Sequence, residues 1–233
     1  MNGSSMDMIP VPMGFSTGYV LRGDTAMAID CGIPGRAGSF IRAIESLSLV
    51  PEDIELILIT HGHSDHVGSA CEMKNLTGAK IAMHHSEAKW LETPTMPPPP
   101  GVTAWGRIFM SLRRFIMPVQ EVEAAPVDIP IGDEGMSLRD RGIPGSVIWT
   151  PGHTMGSVSV LLDSGDAFVG DMAMNMFPLT LRPGLPIFAE DMKTLRESWR
   201  KLLDAGAVRI WPAHGRSFPA ETIGKRLSRS KHA

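Results

Sequence analysis

The chain contains 233 residues, 43% of them hydrophobic and 20% charged, which is enough apolar material for a buried core and excludes a wholly disordered protein. Its 22 basic and 25 acidic side chains give a formal net charge of −3, which predicts neither nucleic acid nor an anionic membrane as a partner. Two cysteines exclude a disulfide framework, whereas eight histidines beside a single tyrosine are an unusual proportion.

The first 20 residues do not have the pattern of a signal peptide. They lack a basic start, and Pro10 and Pro12 interrupt their apolar stretch. No run of about 18 apolar residues occurs anywhere in the chain, so no membrane-spanning helix is expected. We therefore expect a cytoplasmic protein with no membrane partner.

The first part of the chain predicts alternating strands and helices. Residues 17–30 have the pattern of a β-hairpin. Helical spacing of apolar residues predicts a helix over 38–48, and the nearly continuous apolar run over 54–59 is typical of a strand covered on both faces. The alternation continues with a helix over 67–76, a strand over 80–83 and a short helix over 87–91.

Residues 92–120 interrupt this pattern. Four prolines at 97–100 predict a stiff linker, and residues 107–117 then interleave apolar side chains with three arginines. We interpret the segment as an inserted amphipathic helix behind this linker, within a single domain spanning 1–233. It would form a lid beside the active site, a contact in a homodimer, or additional core.

The second part predicts several strands in succession and two helices. The strands are predicted over 127–131, 147–150, 158–162, 167–170 and 208–211. A helix with one apolar face is expected over 190–204, and a last helix from about residue 219. Two such halves packed sheet against sheet would give an α/β (α+β) fold, a four-layer α-β-β-α sandwich.

A cluster of potential metal ligands follows the apolar strand at 54–59. His61, His63, Asp65 and His66 lie within six positions, at a strand end, where ligand sites of α/β sheets usually form. His61 and His63 are two residues apart and can point the same way from an extended segment. Imidazole and carboxylate donors suit zinc, and iron or manganese would also fit. A zinc site that only stabilises the fold is a weaker interpretation, because structural sites favour cysteine.

Three later residues extend the cluster. His153, Asp171 and His214 each lie at a predicted strand end beside glycine or proline, where the backbone can turn sharply. The complete set has five histidines and two aspartates. This is enough for two metal ions that each keep an open position.

The order of these motifs resembles that of the metallo-β-lactamase superfamily of binuclear hydrolases: His61-x-His63-x-Asp65-His66, Gly-His153-Thr, Gly-Asp171 and Ala-His214-Gly. The hairpin that ends in Ile29-Asp30-Cys31-Gly32 is similar to the opening motif of that family. The resemblance extends over about residues 15–217, and it implies a metallo-β-lactamase-like fold.

The resemblance also implies roles for these side chains. His61, His63 and His153 would hold one metal ion. The second would be held by Asp65, His66 and His214, with Asp171 between the two. Asp30 would accept hydrogen bonds from ligating groups. The expected cofactor is two Zn²⁺ per chain.

Two zinc ions would make hydroxide available at neutral pH by lowering the pKa of a bridging water. This hydroxide would attack an ester, thioester, lactone or lactam carbonyl of a small-molecule substrate. Asp65 is the candidate catalytic residue, because a carboxylate beside the second metal can hold the water and later help to protonate the leaving group. No residues are predicted for substrate binding.

The substrate class follows from exclusions within the resemblance. Asp171 stands where true β-lactamases usually have Cys or Ser, and His63 where di-iron electron-transfer members have Glu. The glyoxalase-II and lactonase branch remains. Only 19 residues follow His214, too few for the helical domain with which glyoxalase II binds glutathione, and the single tyrosine, Tyr19, does not match the lactonase tyrosine.

Three alternatives stay open. One is an oxidoreductase similar to the persulfide dioxygenases, with a single iron on His61, His153 and Asp171. Another is an RNase-Z-like phosphodiesterase, which the near-neutral charge disfavours because such enzymes need a basic surface. The third is a binding or regulatory domain stabilised by metal, with no enzymatic activity.

Overall fold

The computed structural model describes residues 6–95, 100–102, 106–108, 121–177, 180 and 182–229. The prolines at 97–100 and the amphipathic helix predicted within 107–117 lie almost wholly outside these ranges. The lid, dimer and core interpretations of residues 92–120 therefore stay predictions, as does the single domain that would contain them.

The first half forms a mixed sheet. Within the described residues it has six strands that lie side by side in chain order: β1 (Asp7–Pro12), β2 (Thr17–Arg22), β3 (Ala26–Ile29), β4 (Ile54–Leu58), β5 (Lys80–His84) and β6 (Ile129–Ile131). The first three pair antiparallel, and β3 to β6 pair parallel. The carboxyl ends of the parallel strands therefore meet at one edge, and the predicted cluster at 61–66 follows β4 there.

The helices of the first half cover the outer face of this sheet. They are α1 (Ala37–Ser46), α2 (Ser64–Val67), α3 (Ala70–Thr77) and α4 (Ala88–Glu92). Phe40 of α1 and Met73 of α3 share a buried apolar cluster with Ile57 of β4. This burial accounts for the apolar spacing on which the helix predictions rest.

The helix predicted over 67–76 corresponds to α3 (Ala70–Thr77), which begins three residues later than predicted and is separated from the short helix α2 by Gly68 and Ser69. The Gly68 N–H donates to the Gly32 carbonyl, and a Cβ at Gly68 would lie only 2.4 Å from the Pro34 nitrogen. The Ser69 hydroxyl donates to the Ile33 carbonyl. The loop after β3 therefore packs against this point and its hydrogen bonds replace those of a continuous helix.

The second half forms the other sheet, which has six strands within the described ranges: β7 (Met136–Ser137), β8 (Gly145–Trp149), β9 (Val158–Leu162), β10 (Asp166–Phe168), β11 (Arg209–Trp211) and β12 (Phe218–Pro219). Their order across the sheet is β12-β11-β10-β9-β8-β7. Because β9 pairs antiparallel with both β8 and β10, and β10 pairs parallel with β11, strands β8, β10 and β11 run in the same direction. Helices α5 (Met192–Asp204) and α6 (Glu221–Arg229) complete this half.

Three buried apolar clusters define the layers. The first lies between the first sheet and its helices. In the second cluster, Leu58 of the first sheet meets Val160 and Phe168 of the second. The third cluster places Trp199 of α5 against Ile210 of β11. The predicted four-layer α-β-β-α sandwich is therefore confirmed.

The sequence-based prediction omitted strands β1, β7 and β12. Strand β1 contains Pro10 and Pro12, which lack the backbone N–H of a ladder hydrogen bond. These prolines are tolerated because β1 lies at the edge of the sheet, where alternate backbone N–H groups point away from the neighbouring strand β2. The other two strands have two residues each, too few for an alternating pattern.

None of the helices in the described part of the chain has the length and apolar character needed to cross a membrane.

Candidate metal centre

The loop after β4 and helix α2 carry the first four candidate ligands. His61 and His63 lie on the extended loop, and His63 is the N-cap residue directly before α2. Asp65 and His66 belong to the helix itself. The three histidines are buried, whereas the side chain of Asp65 keeps 27% of its surface exposed.

The other three candidates come from the second sheet. His153 lies between β8 and β9, Asp171 in a short turn after β10, and His214 after β11. The strands β8, β10 and β11 share one direction, so these side chains meet at one edge of the sheet. The structure brings all seven residues together, as their positions at strand ends predict.

His61, His63 and His153 form the first group. The Nδ1 atom of His63 lies 3.0 Å from Nε2 of His61 and 3.1 Å from Nε2 of His153. Burial lowers the pKa of all three imidazoles, to about 3 for His63, and the neighbouring imidazoles add to the effect at His61 and His63. All three are therefore neutral near pH 7 and offer lone pairs, as metal ligands must.

Asp65, His66 and His214 form the second group. The Oδ2 atom of Asp65 lies 3.2 Å from Nε2 of His214 and 3.9 Å from Nε2 of His66. Burial alone would lower the pKa of His214, but Asp171 and Asp65 raise it to about 10. Asp30, Asp171 and Asp65 likewise overcome burial and raise the pKa of His66. The second group is therefore mixed in charge, unlike the first.

Asp171 lies between the two groups. Its Oδ2 atom is 3.6 Å from Nε2 of His153 in the first group. Its Oδ1 atom is 3.2 Å from Nε2 of His214 and 3.5 Å from Nε2 of His66 in the second. Although burial favours the acid form, the charges of His214 and His66 hold the pKa of Asp171 well below its usual value. One carboxylate thus presents an oxygen to each group.

Hydrogen bonds fix the orientation of the imidazoles. The Nδ1 atom of His153 lies 2.9 Å from the Phe188 carbonyl oxygen, and that of His214 lies 2.9 Å from the Phe15 carbonyl oxygen. The Nδ1 atom of His66 lies 2.8 Å from Oδ2 of Asp30. In each case the Nε2 atom is turned towards the candidate centre, which is how metal-binding histidines are commonly held.

Asp30 is itself held by Thr60, a residue that the sequence analysis did not identify. The Thr60 N–H donates to Oδ1 of Asp30 at 2.8 Å, and its hydroxyl donates to Oδ2 at 2.8 Å. Asp30 adopts a positive φ of 60°, which is uncommon outside glycine and indicates a constrained position. The signal in the sequence was a polar residue placed directly before His61.

Tyr19 contributes to packing near the site. Its hydroxyl donates to the Pro212 carbonyl at 2.8 Å, and its ring contacts Phe168 edge-on. Burial, together with the charge of Asp30, raises the pKa of this phenol. The Tyr19 hydroxyl is therefore hydrogen-bonded to the backbone at Pro212, two residues before His214.

Two buried side-chain atoms indicate whether the site would accommodate a metal ion. Among the described residues, Nε2 of His66 and Oδ1 of Asp171 are the buried side-chain atoms with no hydrogen-bond partner. Leaving such atoms without a hydrogen bond is costly, and both face the candidate centre. A divalent cation would satisfy both, and the mixture of imidazole and carboxylate donors is the type that zinc or iron accepts.

Comparison with known proteins identifies the family. The model of the metallo-beta-lactamase superfamily matches residues 11–214. A hydroxyacylglutathione hydrolase of Haemophilus influenzae is 31% identical over 152 residues, 63% of this chain and 60% of that protein. A probable metallo-hydrolase of Bacillus subtilis is 27% identical over 205 residues, 80% of this chain and 74% of that protein.

A solved structure supports the same fold. The crystal structure of the BLEG-1 B3 metallo-beta-lactamase superimposes with a TM-score of 0.69 at 24% sequence identity, over 95% of this chain and 97% of that one. The chain spans less than two thirds of the Haemophilus relative, so the activity of that whole protein is not transferred to it. The chain belongs to the metallo-beta-lactamase superfamily.

Proposed function

We propose that this protein is a dinuclear zinc hydrolase that cleaves an ester, thioester, lactone or lactam bond of a small molecule. The observation that carries the proposal is the position of Asp171. Its two oxygens face two separate groups of ligands, and one metal ion would not use both groups. The name of the Haemophilus relative supports a thioester as one member of this substrate class.

The residues divide between two metal ions. His61, His63 and His153 would hold one ion, and Asp65, His66 and His214 the other, with Asp171 touching both. When bound, such a pair supplies a water of lowered pKa and polarises the carbonyl oxygen of the substrate.

Asp65 is the proposed proton carrier. Its side chain is 27% exposed, against 5% for Asp171, so it is the acidic group of the centre that a substrate can reach. Burial opposes its ionisation, but His66 and His214 lower its pKa, so the group is ionised and its oxygens can act as acceptors. It would take a proton from the attacking water and return it to the leaving group.

Segments that adjoin His153 and His214 in sequence or through a hydrogen bond carry exposed apolar side chains, and this supports a substrate with an apolar acyl group. Phe15, whose carbonyl bonds His214, is 54% exposed. Phe177 is 80% exposed and lies two residues beyond Asn175, whose N–H donates to the His214 carbonyl. Met155, two residues after His153, is 47% exposed. Pockets that bind small molecules are commonly lined by such side chains.

A hydrolysis screen of the zinc-loaded protein tests the proposal. The panel comprises an acyl thioester, an acyl-homoserine lactone, nitrocefin and bis-p-nitrophenyl phosphate. We expect turnover of at least one carbonyl compound, faster with longer acyl chains, and two zinc ions per chain by elemental analysis.

Three other outcomes would contradict the proposal, and each would support a different function. Preferred turnover of the phosphodiester, with RNA binding that weakens steeply as salt rises, would indicate a nuclease. One iron per chain together with oxygen consumption would indicate a persulfide dioxygenase. If neither the unchanged protein nor Asp65→Ala hydrolyses any compound of the panel, and both bind the same compound with equal affinity, the protein would be a binding domain.

A further inference from the structure

Glu87 is a buried carboxylate outside the set of metal-binding candidates. It directly precedes α4 and is 2% exposed. Within the described ranges no lysine, arginine or histidine forms an ion pair with it. A buried carboxylate without a cationic partner is costly unless hydrogen bonds satisfy it, so its partners are informative.

Two of those partners are backbone N–H groups of the two loops that carry the first group of histidines, and the side chain of Thr154, the neighbour of His153, is a third. Oε2 of Glu87 accepts from the Gly62 N–H at 2.7 Å, and Oε1 accepts from the Gly156 N–H at 2.7 Å. Gly62 lies between His61 and His63, and Gly156 lies three residues after His153. One side chain thus links the loop of the first sheet to the loop of the second.

Both loops pack directly on Glu87 and its helix. A Cβ at Gly62 would lie 2.5 Å from Cε3 of Trp90, and a Cβ at Gly156 would lie 2.7 Å from Cδ of Glu87. Neither glycine could therefore carry a side chain without displacing this contact. Hydrogen bonds from N–H groups to a carboxylate are about twice as strong as those between neutral groups, so the link is a stiff one.

The hydrogen bonds of Glu87 go to the loops of the first group, and within the described residues none goes to a ligand of the second. His66 and His214 are oriented separately, by Asp30 and by the Phe15 carbonyl. Disturbing Glu87 should therefore change the spacing between His63 and His153, now 3.1 Å between their nitrogens, while the second group keeps its own supports.

We propose that Glu87 is a positioning residue that sets the metal affinity of the site formed by His61, His63 and His153. This inference rests on the proposed two-metal function, since it assumes that this group binds a metal. Glu87 touches neither metal nor substrate and acts by holding the two loops at a fixed separation.

The test is a metal titration of Glu87→Gln. Glutamine keeps the size of the side chain but has one oxygen, so its NH₂ group faces one of the two N–H donors. We expect the affinity of the first site to fall about 10- to 100-fold, as for other residues that orient metal ligands, with the second site unchanged. Chelator competition measures both affinities, and the absorption spectrum of the cobalt-substituted protein reports the geometry of each site.

The matched control is Glu190→Gln. Glu190 accepts from the Met155 N–H at 2.9 Å, one residue before Gly156, but it is exposed, and among the described residues its side chain forms no hydrogen bond with the first loop. Both affinities should equal those of the unchanged protein. Glu87→Asp, whose shorter side chain cannot span both N–H groups, serves as a second variant if the glutamine variant does not fold.

Three results would overturn the inference. They are unchanged affinities in both Glu87 variants, an equal loss at both sites, and a lower unfolding temperature with an unaltered cobalt spectrum. If the unchanged protein binds one metal instead of two, the two-metal function fails. The affinity of the Glu87 variants for that single metal can still be measured. Failure of the two-metal function is therefore distinguishable from failure of the inference about Glu87.

Discussion

At the scale of single residues, the two groups of histidines differ in charge. Burial and mutual repulsion lower the pKa of His61 and His63, whereas nearby carboxylates raise the pKa of His66 and His214. The first group is therefore neutral in the metal-free protein near pH 7, and the second is protonated. Only the second must lose protons before it can bind a metal.

This difference predicts proton release on metal binding. The pKa of His214 is raised to about 10, so at about pH 7 the imidazole carries a proton that zinc must displace. Calorimetric titration in two buffers of different ionisation enthalpy measures the protons released. We expect release on filling the second site and little on filling the first. Equal binding enthalpies in both buffers would contradict the protonation of His214.

The proposed role of Asp65 predicts the effect of Asp65→Asn. An amide cannot accept and return the proton, so kcat should fall by about 10²- to 10⁴-fold. The kinetics are measured at a fixed metal content confirmed by elemental analysis. Asp163→Asn is the control, because Asp163 pairs with Arg139 on the surface, away from the centre. Full activity of a fully loaded Asp65→Asn protein would remove Asp65 from the mechanism.

At the scale of elements, helix α5 supports the turn that carries Asp171. Asp191 caps its first turn by accepting from the Lys193 and Thr194 N–H groups. From the middle of the helix, Nε1 of Trp199 donates to the carbonyl of Met172 at 2.8 Å. Met172 is the neighbour of Asp171, so the packing of α5 bears on the position of this ligand.

Replacing Trp199 tests that support. Trp199→Phe removes the N–H and leaves the buried Met172 carbonyl unpaired, at a cost of about 1–3 kcal/mol in the free energy of unfolding. Urea denaturation of the metal-free protein measures this change. Val208→Ala, at a residue 67% exposed, should stay within about 0.5 kcal/mol. Equal midpoints for the two variants would show that the indole hydrogen bond contributes nothing.

At the scale of the whole molecule, the candidate centre joins the two sheets. Four ligands follow β4 of the first sheet, and three follow strands of the second. A metal held by residues from both halves is bound only when the halves are packed together. Its binding free energy therefore stabilises the assembled sandwich.

Metal removal should consequently lower the unfolding temperature. A ligand present at about 1,000 times its Kd adds about 4 kcal/mol, which corresponds to about 10 °C for a chain of this size. Calorimetric scans with and without a chelator measure the shift. In His214→Ala, which loses a ligand of the second site, the shift should be smaller. An unfolding temperature insensitive to the chelator would exclude a metal that spans the sheets.

Much of the fold was predictable because its signals are local. The apolar run over 54–59 and the helical spacing over 190–204 correspond to β4 and α5, since a strand or helix displays its buried face within a few residues. Where tertiary contacts decide, the prediction was displaced or incomplete. The loop after β3 packs at Gly68, so α3 begins at Ala70 instead of residue 67, and β1 tolerates its prolines only because it lies at an edge.

By itself, the sequence determined the types and order of the candidate ligands, because His61 to His66 form one short motif and the others adjoin strands. Only the tertiary structure decided that Asp171 faces both groups and that Glu87 links loops 25 and 69 residues away from it. The reason is physical. A hydrogen bond between distant residues depends on how two sheets pack, and no local pattern of residues records that packing.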